Sequence, residues 1–265
     1  MEIKTSLKTV FRRLKLSGLL YTLPDRIAYA EKTDLNRQDF LELLLQDEID
    51  RREQTNLQQR LKRAQFEEEQ TLENFDWNAP VRFDRDRVRD LFGLGFLDRK
   101  EDVIFMGPVG VGKTFLASAL GHAACRAGKS VLFLRADTML KELHQSRADH
   151  STDKALRRLI SPDLLIADDF ALRALDPTQS SDIYELIIER HRRSSTIFTS
   201  SRTIEEWIPL FADPILAQSA LDRLAHNAHQ ISMEGESYRK RQGPAAQYQD
   251  RARKKKTGQA GGSPQ

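Results

Sequence analysis

Cysteine is almost missing: Cys125 stands alone in 265 residues. That excludes an intramolecular disulfide and any zinc site built from several thiolates, and it suits a reducing cytosol. Long apolar runs are missing too. A membrane helix needs roughly 20 consecutive apolar residues, and the densest patches, 41–45 and 164–167, fall far short. The N-terminus has no unbroken apolar core for a secretory signal, because Lys4, Lys8, Arg12, Arg13 and Lys15 interrupt it. The expected setting is cytoplasmic, with no membrane partner. The histidines at 144, 150, 191, 226 and 229 follow no metal-ligand spacing.

Charge is what the chain has in quantity, at 31% of residues against roughly 25% on average. The net charge of +3 conceals an asymmetry: residues 239–265 carry eight Lys and Arg against Asp250, and the rest sums to −4. Such a tail either solubilises the protein or contacts phosphate.

Three zones divide the chain. Residues 1–70 read as a small all-α domain. Leu7, Val10, Phe11 and Leu14 recur at helical spacing. After Leu23-Pro24 and a polar stretch, a second helix is expected from near Asn36, with Phe40, Leu41, Leu44 and Leu45 on its apolar stripe. Arg51, Arg52, Arg60, Lys62 and Arg63 load its later turns, either paired with Asp47, Glu48 and Glu53 or free for phosphate. Residues 71–242 alternate apolar strands with helices. Strands are expected at 103–106, 131–134, 164–167, 196–199 and 230–233, and helices at 113–127 and around Ile183–Arg190. Asp137 is expected to cap a helix starting at Thr138, Thr203 to Glu206 to form a capping box, and Asp213-Pro214 to open a further helix. This alternation predicts an α/β fold with a five-stranded parallel sheet covered on both faces. Residues 243–265 are polar, basic and glycine-rich, and are expected to be disordered.

The phosphate chemistry is the clearest signal. Gly107-Pro108-Val109-Gly110-Val111-Gly112-Lys113-Thr114 matches the G-x-x-x-x-G-K-[ST] loop in full, between an expected strand and an expected helix that continues with Phe115. Its glycines let consecutive N–H groups point inward at phosphate oxygens, and the helix start adds partial positive charge. Lys113 is the candidate to neutralise the outer phosphates of ATP, and Thr114 to offer its hydroxyl to Mg²⁺. Some fifty residues on, Leu164 to Ala167 form an apolar strand ending in Asp168-Asp169. Asp168 is expected to hold Mg²⁺ with Thr114, and Asp169 to polarise the attacking water.

With these motifs the chain resembles the AAA+ class of ATPases, and within it the IstB helpers of insertion-sequence transposition. The likeness includes Leu72-Glu73-Asn74-Phe75-Asp76-Trp77, Thr199-Ser200-Ser201, Leu221-Asp222-Arg223-Leu224 and Gly235-Glu236-Ser237-Tyr238-Arg239. Helicase loaders of the DnaC type are similar over the ATPase core. The resemblance implies an AAA+ P-loop fold with a C-terminal lid absent or reduced. It places a polar sensor, commonly Asn, where this chain has Ser201, and an arginine finger acting on a neighbouring subunit at Arg223. Arg239 is a further candidate for sensing the γ-phosphate. The family also implies a homo-oligomer on duplex DNA and a cognate IstA-like transposase, with the DnaC-type loader as the alternative. Lys141, Arg147, Lys154, Arg157 and Arg158 lie where relatives insert helices facing DNA, while Trp77 and Phe83 are expected to cover adenine or the sheet edge. A small-molecule kinase would need an acceptor pocket and lid that no long insertion supplies. A scaffold that scarcely hydrolyses ATP is kept open by the serine at 201.

Overall fold

The computed structural model describes residues 3–238. They form two compact units, one up to Arg60 and one from Leu61 onward. Arg239 and the basic tail at 243–265 lie outside the described residues, and with them the expectations for a lid and a disordered end.

The first unit is helical: α1 (Thr5–Arg13), α2 (Leu19–Thr33) and α3 (Arg37–Ala64), whose last turn enters the second unit. Asn36 caps α3, its side-chain oxygen accepting from the N–H groups of Gln38 and Asp39 at 2.9 and 3.0 Å. Leu19, Leu23 and Leu44 are buried together, with Phe11, Leu16, Ile27 and Phe40 around them. Helix α2 runs straight through Pro24, where a break is expected. The proline deprives the Leu20 carbonyl of its helical donor, but continuing the helix carries Ile27 onto the cluster of Leu19, Leu23 and Leu44. Arg51 and Arg52 are not free for phosphate: both pair with the buried Glu48, at 2.7 and 2.8 Å.

The second unit runs β1 (Val81–Arg82), α4 (Arg85–Leu91), α5 (Gly95–Asp98), β2 (Asp102–Met106), α6 (Lys113–Arg126), β3 (Val131–Arg135), α7 (Ala136–Ala148), α8 (Thr152–Ile160), β4 (Leu164–Asp168), α9 (Pro177–Arg190), β5 (Ser195–Ser200), α10 (Pro214–His226), β6 (Ala228–Ser232) and β7 (Glu234–Gly235). The core is the expected five-stranded parallel sheet, ordered β3-β4-β5-β2-β6. Every residue of β2, β4 and β5 is buried, which is why β2 and β4 read as apolar runs over 103–106 and 164–167. The chain leaves β2 and crosses two strands to reach β3, so the order reverses beside β2. Ligands of open α/β sheets bind at the carboxyl ends of the strands around such a point.

Two local expectations are corrected. Helix α7 begins at Ala136, so Asp137 is not its cap. It sits in the first turn, where its charge suits the helix dipole, and pairs with Arg173 at 3.2 Å. No α-helix begins at Thr203. Only half of the capping box forms, Glu206 accepting from the Thr203 N–H at 2.8 Å. The segment becomes a 3₁₀ turn at Ile208–Leu210, because Pro209 would interrupt a helix begun at Thr203. Asp213 does cap α10, accepting from Ile215 and Leu216 N–H at 2.9 and 3.2 Å.

Candidate functional site

The phosphate loop joins β2 to α6, and its glycines are there for geometric reasons. Gly107 adopts φ +144°, and a Cβ on it would collide with the Met233 carbonyl oxygen. Gly112 is the N-cap of α6 at φ +101° and offers no side chain to the first helical turn. The N–H groups of that turn remain available to an anion. Lys113 is buried, and its ammonium donates to the carbonyls of Gly107 and Pro108, both at 2.7 Å. The positive charge is thus held within the curl of the loop. Val111 is buried beneath it, and Val109 is exposed at its tip.

The two acids stand opposite the loop. Asp168 ends β4 fully buried, and accepts from the Thr199 hydroxyl at 2.6 Å and from the Thr114 hydroxyl. Burial pushes its carboxyl above the ordinary value, against the pull of those two hydrogen bonds. Thr114 and Asp168 therefore bring two hard oxygen donors together on adjacent elements. That suits Mg²⁺, which keeps several waters and takes its remaining ligands from one or two protein groups and from phosphate. Among the described residues no cluster of three or more His, Cys, Asp or Glu could hold a metal unaided, so the ion would rely on substrate and water.

Asp169 is the next residue and faces outward, with its side chain about one third exposed and an Arg135 nitrogen 3.4 Å from its carboxylate. Its backbone is left-handed at φ +54°, as is that of Ala171 at +60°. Such residues cost about 1 kcal/mol or more each and persist where the surroundings enforce them. Thr199 does so here, its hydroxyl oxygen accepting from the Asp169 N–H at 2.9 Å. Beyond it, the Ser201 hydroxyl is buried and without a hydrogen-bond partner. A buried hydroxyl left unsatisfied is uncommon and fits a group that acts on a bound water.

The loop from Val109 onward and the two acids line one cavity of about 360 Å³, within the range of small-ligand sites, whereas Gly107, Pro108 and Ser201 are not on its wall. Gly110, Gly112, Lys113, Thr114, Phe115, Asp168 and Asp169 are all on its wall. The aromatic call is corrected in part: Phe75 is on the wall, whereas Trp77 and Phe83 pack behind it at 5.0 and 5.9 Å between ring centroids. Several lining residues carry no local signal, including Glu67, Glu68, Gln70 and Tyr238. Arg135 had one, its place at the carboxyl end of the strand beside the two acids.

Arg223 is not brought into this cavity. It is exposed on α10 and makes no ion pair among the described residues, including none with Asp213 or Asp222. The basic residues of α7 and α8 divide. Arg147 is held by Asp182, and Arg158 by Glu142 and Gln65. Lys141, Lys154 and Arg157 are exposed without ion pairs among the described residues. No helix among those residues is long and apolar enough to cross a membrane.

Residues 9–246 match the family described as IstB-like ATP binding protein. A Mycobacterium tuberculosis protein named for ATP binding in an insertion sequence is 44% identical over 240 residues, covering 90% of this chain and 96% of its own. A Pseudomonas aeruginosa insertion-sequence protein, also named for ATP binding, is 36% identical over 233 residues, covering 88% of both chains. Among solved structures, DnaI superposes with a TM-score of 0.53 at 19% identity, over 62% of this chain and 90% of that one. The replication initiator DnaA bound to AMPPCP and single-stranded DNA gives 0.53 at 19%, over 63% of this chain and 50% of that one. At such identity the likeness shows the fold, that of an AAA+ P-loop domain.

Proposed function

The chain belongs to the family of IstB-like ATP binding proteins, and from that premise we propose that it hydrolyses ATP to drive assembly on duplex DNA and to stimulate a cognate IstA-like transposase. The observation that carries the hydrolytic part is the meeting of Thr114 and Asp168 across the phosphate loop, with Asp169 at the mouth of the same cavity.

In this reading the loop N–H groups and Lys113 hold the phosphates of ATP, and Thr114 and Asp168 hold Mg²⁺, which supplies charge neutralisation when bound. Asp169 accepts a hydrogen bond from the attacking water and orients it toward the γ-phosphorus. Ser201, its buried hydroxyl unpartnered but set back from the cavity wall, is the candidate for a supporting polar contact to that water. Water adds to phosphorus as the bond to the β-phosphate oxygen breaks, giving ADP and inorganic phosphate. Arg223 lies outside its own cavity and is free of ion pairs among the described residues, which supports a role on the site of a neighbouring copy. Such a finger contributes ~10³-fold or more in rate and makes turnover depend on assembly. Lys141, Lys154 and Arg157 are the cations left for DNA phosphates, so their loss lowers affinity without altering sequence preference.

The test is steady-state hydrolysis titrated with long duplex DNA and with single strands of equal phosphate content, with particle size read in parallel. Duplex-stimulated turnover together with large ATP-dependent assemblies is expected. A preference for single strands would move the protein to the helicase loaders, and indifference to both would remove DNA from the reading.

A further inference from the structure

Thr199, Ser200 and Ser201 stand side by side after the sheet, and their hydroxyls are used differently. Thr199 holds the two acids, and Ser201 is unpartnered. Ser200 is saturated. Its Oγ accepts from the Trp207 indole N–H and from the Arg202 backbone N–H, both at 3.1 Å, and donates to the Phe170 carbonyl at 2.8 Å. A hydroxyl has one proton and two lone pairs. With donors on both lone pairs, its proton is left to point at Phe170.

The consequence falls on the turn that carries Asp169. The Asp169 N–H is held by the Thr199 hydroxyl at 2.9 Å, the Phe170 N–H by the Thr199 carbonyl at 2.8 Å, and the Phe170 carbonyl by Ser200. Three ties thus fix a turn whose residues 169 and 171 are both left-handed. Trp207 is completely buried and packs edge-on against Phe170 at 4.8 Å. It does not line the cavity.

We propose that Trp207 is a positioning residue for hydrolysis, aiming the Asp169 carboxylate through the chain Trp207 N–H, Ser200 hydroxyl and Phe170 carbonyl. The proposal rests on the reading of Asp169 as the group that orients water. Without the indole N–H, the Ser200 hydroxyl keeps only the Arg202 donor, its proton is no longer confined to Phe170 and the third tie weakens, while the phosphate loop is untouched. The effect belongs to turnover and not to nucleotide affinity, since misplacing a reacting group by about an ångström costs up to ~10²-fold.

Trp207→Phe removes the N–H and keeps a ring in the aromatic cluster, while Ser200→Ala removes the hydroxyl. Each is expected to lower kcat about tenfold, to leave affinity for a non-hydrolysable ATP analogue within about twofold, and to speed hydrogen exchange of the 169 and 170 amides without affecting those of α6. The double variant should be no worse than Ser200→Ala, because both act through one chain. Parental kcat and parental exchange at 169–170 in Trp207→Phe would overturn the proposal, as would single losses that multiply. Should Trp207→Phe fail to fold, Ser200→Ala carries the same test. Asp169→Asn is the control: if it turns over ATP at the parental rate, the site reading itself fails. If it stalls while Trp207→Phe is normal, only the present inference fails.

Discussion

The two ends of the same parallel sheet bury charge in opposite ways. At the amino ends, Arg190 is 2% exposed and has an acceptor for every nitrogen. It donates to the carbonyls of Leu159, Ile160 and Pro162 at 2.9–3.0 Å, to the Thr196 hydroxyl at 2.9 Å and to the Ser195 carbonyl. It thereby joins the end of α8 to the starts of β4 and β5. Asp102, at the start of β2, accepts from the Thr196 N–H at 2.7 Å and from the Asn227 amide. At the carboxyl ends the charged groups face a cavity: Lys113 is held on its own loop, Asp168 accepts from Thr199, and Asp169 stands partly exposed on the same wall. A buried charge with every bond made inside the protein stabilises the fold, whereas one that faces a cavity is placed to act on a ligand.

The contrast breaks most visibly if the carboxyl-end groups prove to be structural. Asp169→Asn is expected to bind ATP normally and lose ~10²-fold or more in kcat. Lys113→Ala should lose at least ~100-fold in nucleotide affinity, about 2.7 kcal/mol, with little change in melting temperature. Calorimetric titration and melting curves check both. Mixing Lys113→Ala with Arg223→Ala subunits should restore part of the turnover that each lacks alone, by the trans action of a finger.

At the other end, Arg190→Met should destabilise the fold by about 3 kcal/mol or more, since it strips donors from four buried carbonyls. Urea denaturation measures this, and the nucleotide affinity of the folded fraction should not change. Ser201→Ala sharpens the division, with kcat expected to fall several-fold while stability holds or rises by up to about 1 kcal/mol as an unsatisfied hydroxyl disappears. A lowered melting temperature with parental kcat would assign Ser201 to the architecture.

A further effect is on pH. Burial raises the Asp102 carboxyl to about 7, so between its unfolded value near 4 and about 7 the native state holds more protons than the unfolded chain. Stability therefore falls as pH rises through that window, by at most about 1.4 kcal/mol per unit. Asp102→Asn should flatten the fall, as melts at pH 5 and pH 8 would show.

What could be read in the sequence was local. The phosphate loop and the paired acids are contiguous stretches whose chemistry and flanking hydrophobicity travel together, and β2, β3 and β4 fall where apolar runs stand. What could not be read depends on the tertiary fold. Glu67, Glu68 and Gln70 reach the cavity wall because the segment beyond α3 is anchored on α6, where Phe66 stacks on His122 at 4.1 Å and the Glu68 carbonyl meets the same ring at 3.2 Å. Pro24 misdirects because burial of its neighbours outweighs one lost bond. The Thr203 capping box misdirects because Pro209 overrules it. The division of labour among Thr199, Ser200 and Ser201 is invisible in three consecutive hydroxyl residues, since Trp207 decides it from seven residues away.

The short antiparallel pair of β1 and β7 has a mechanical side. Val81 lies opposite Gly235 and Arg82 opposite Glu234, and three residues after β7 the Tyr238 N–H donates to the Gly110 carbonyl at 2.8 Å. The strand ahead of α4 is thus zipped to the strand after β6, and the zip ends on the phosphate loop. Tension applied at Tyr238 is transmitted to Gly110 through that hydrogen bond. A pulling experiment from that end should accordingly yield first at the loop, at a force that bound nucleotide raises.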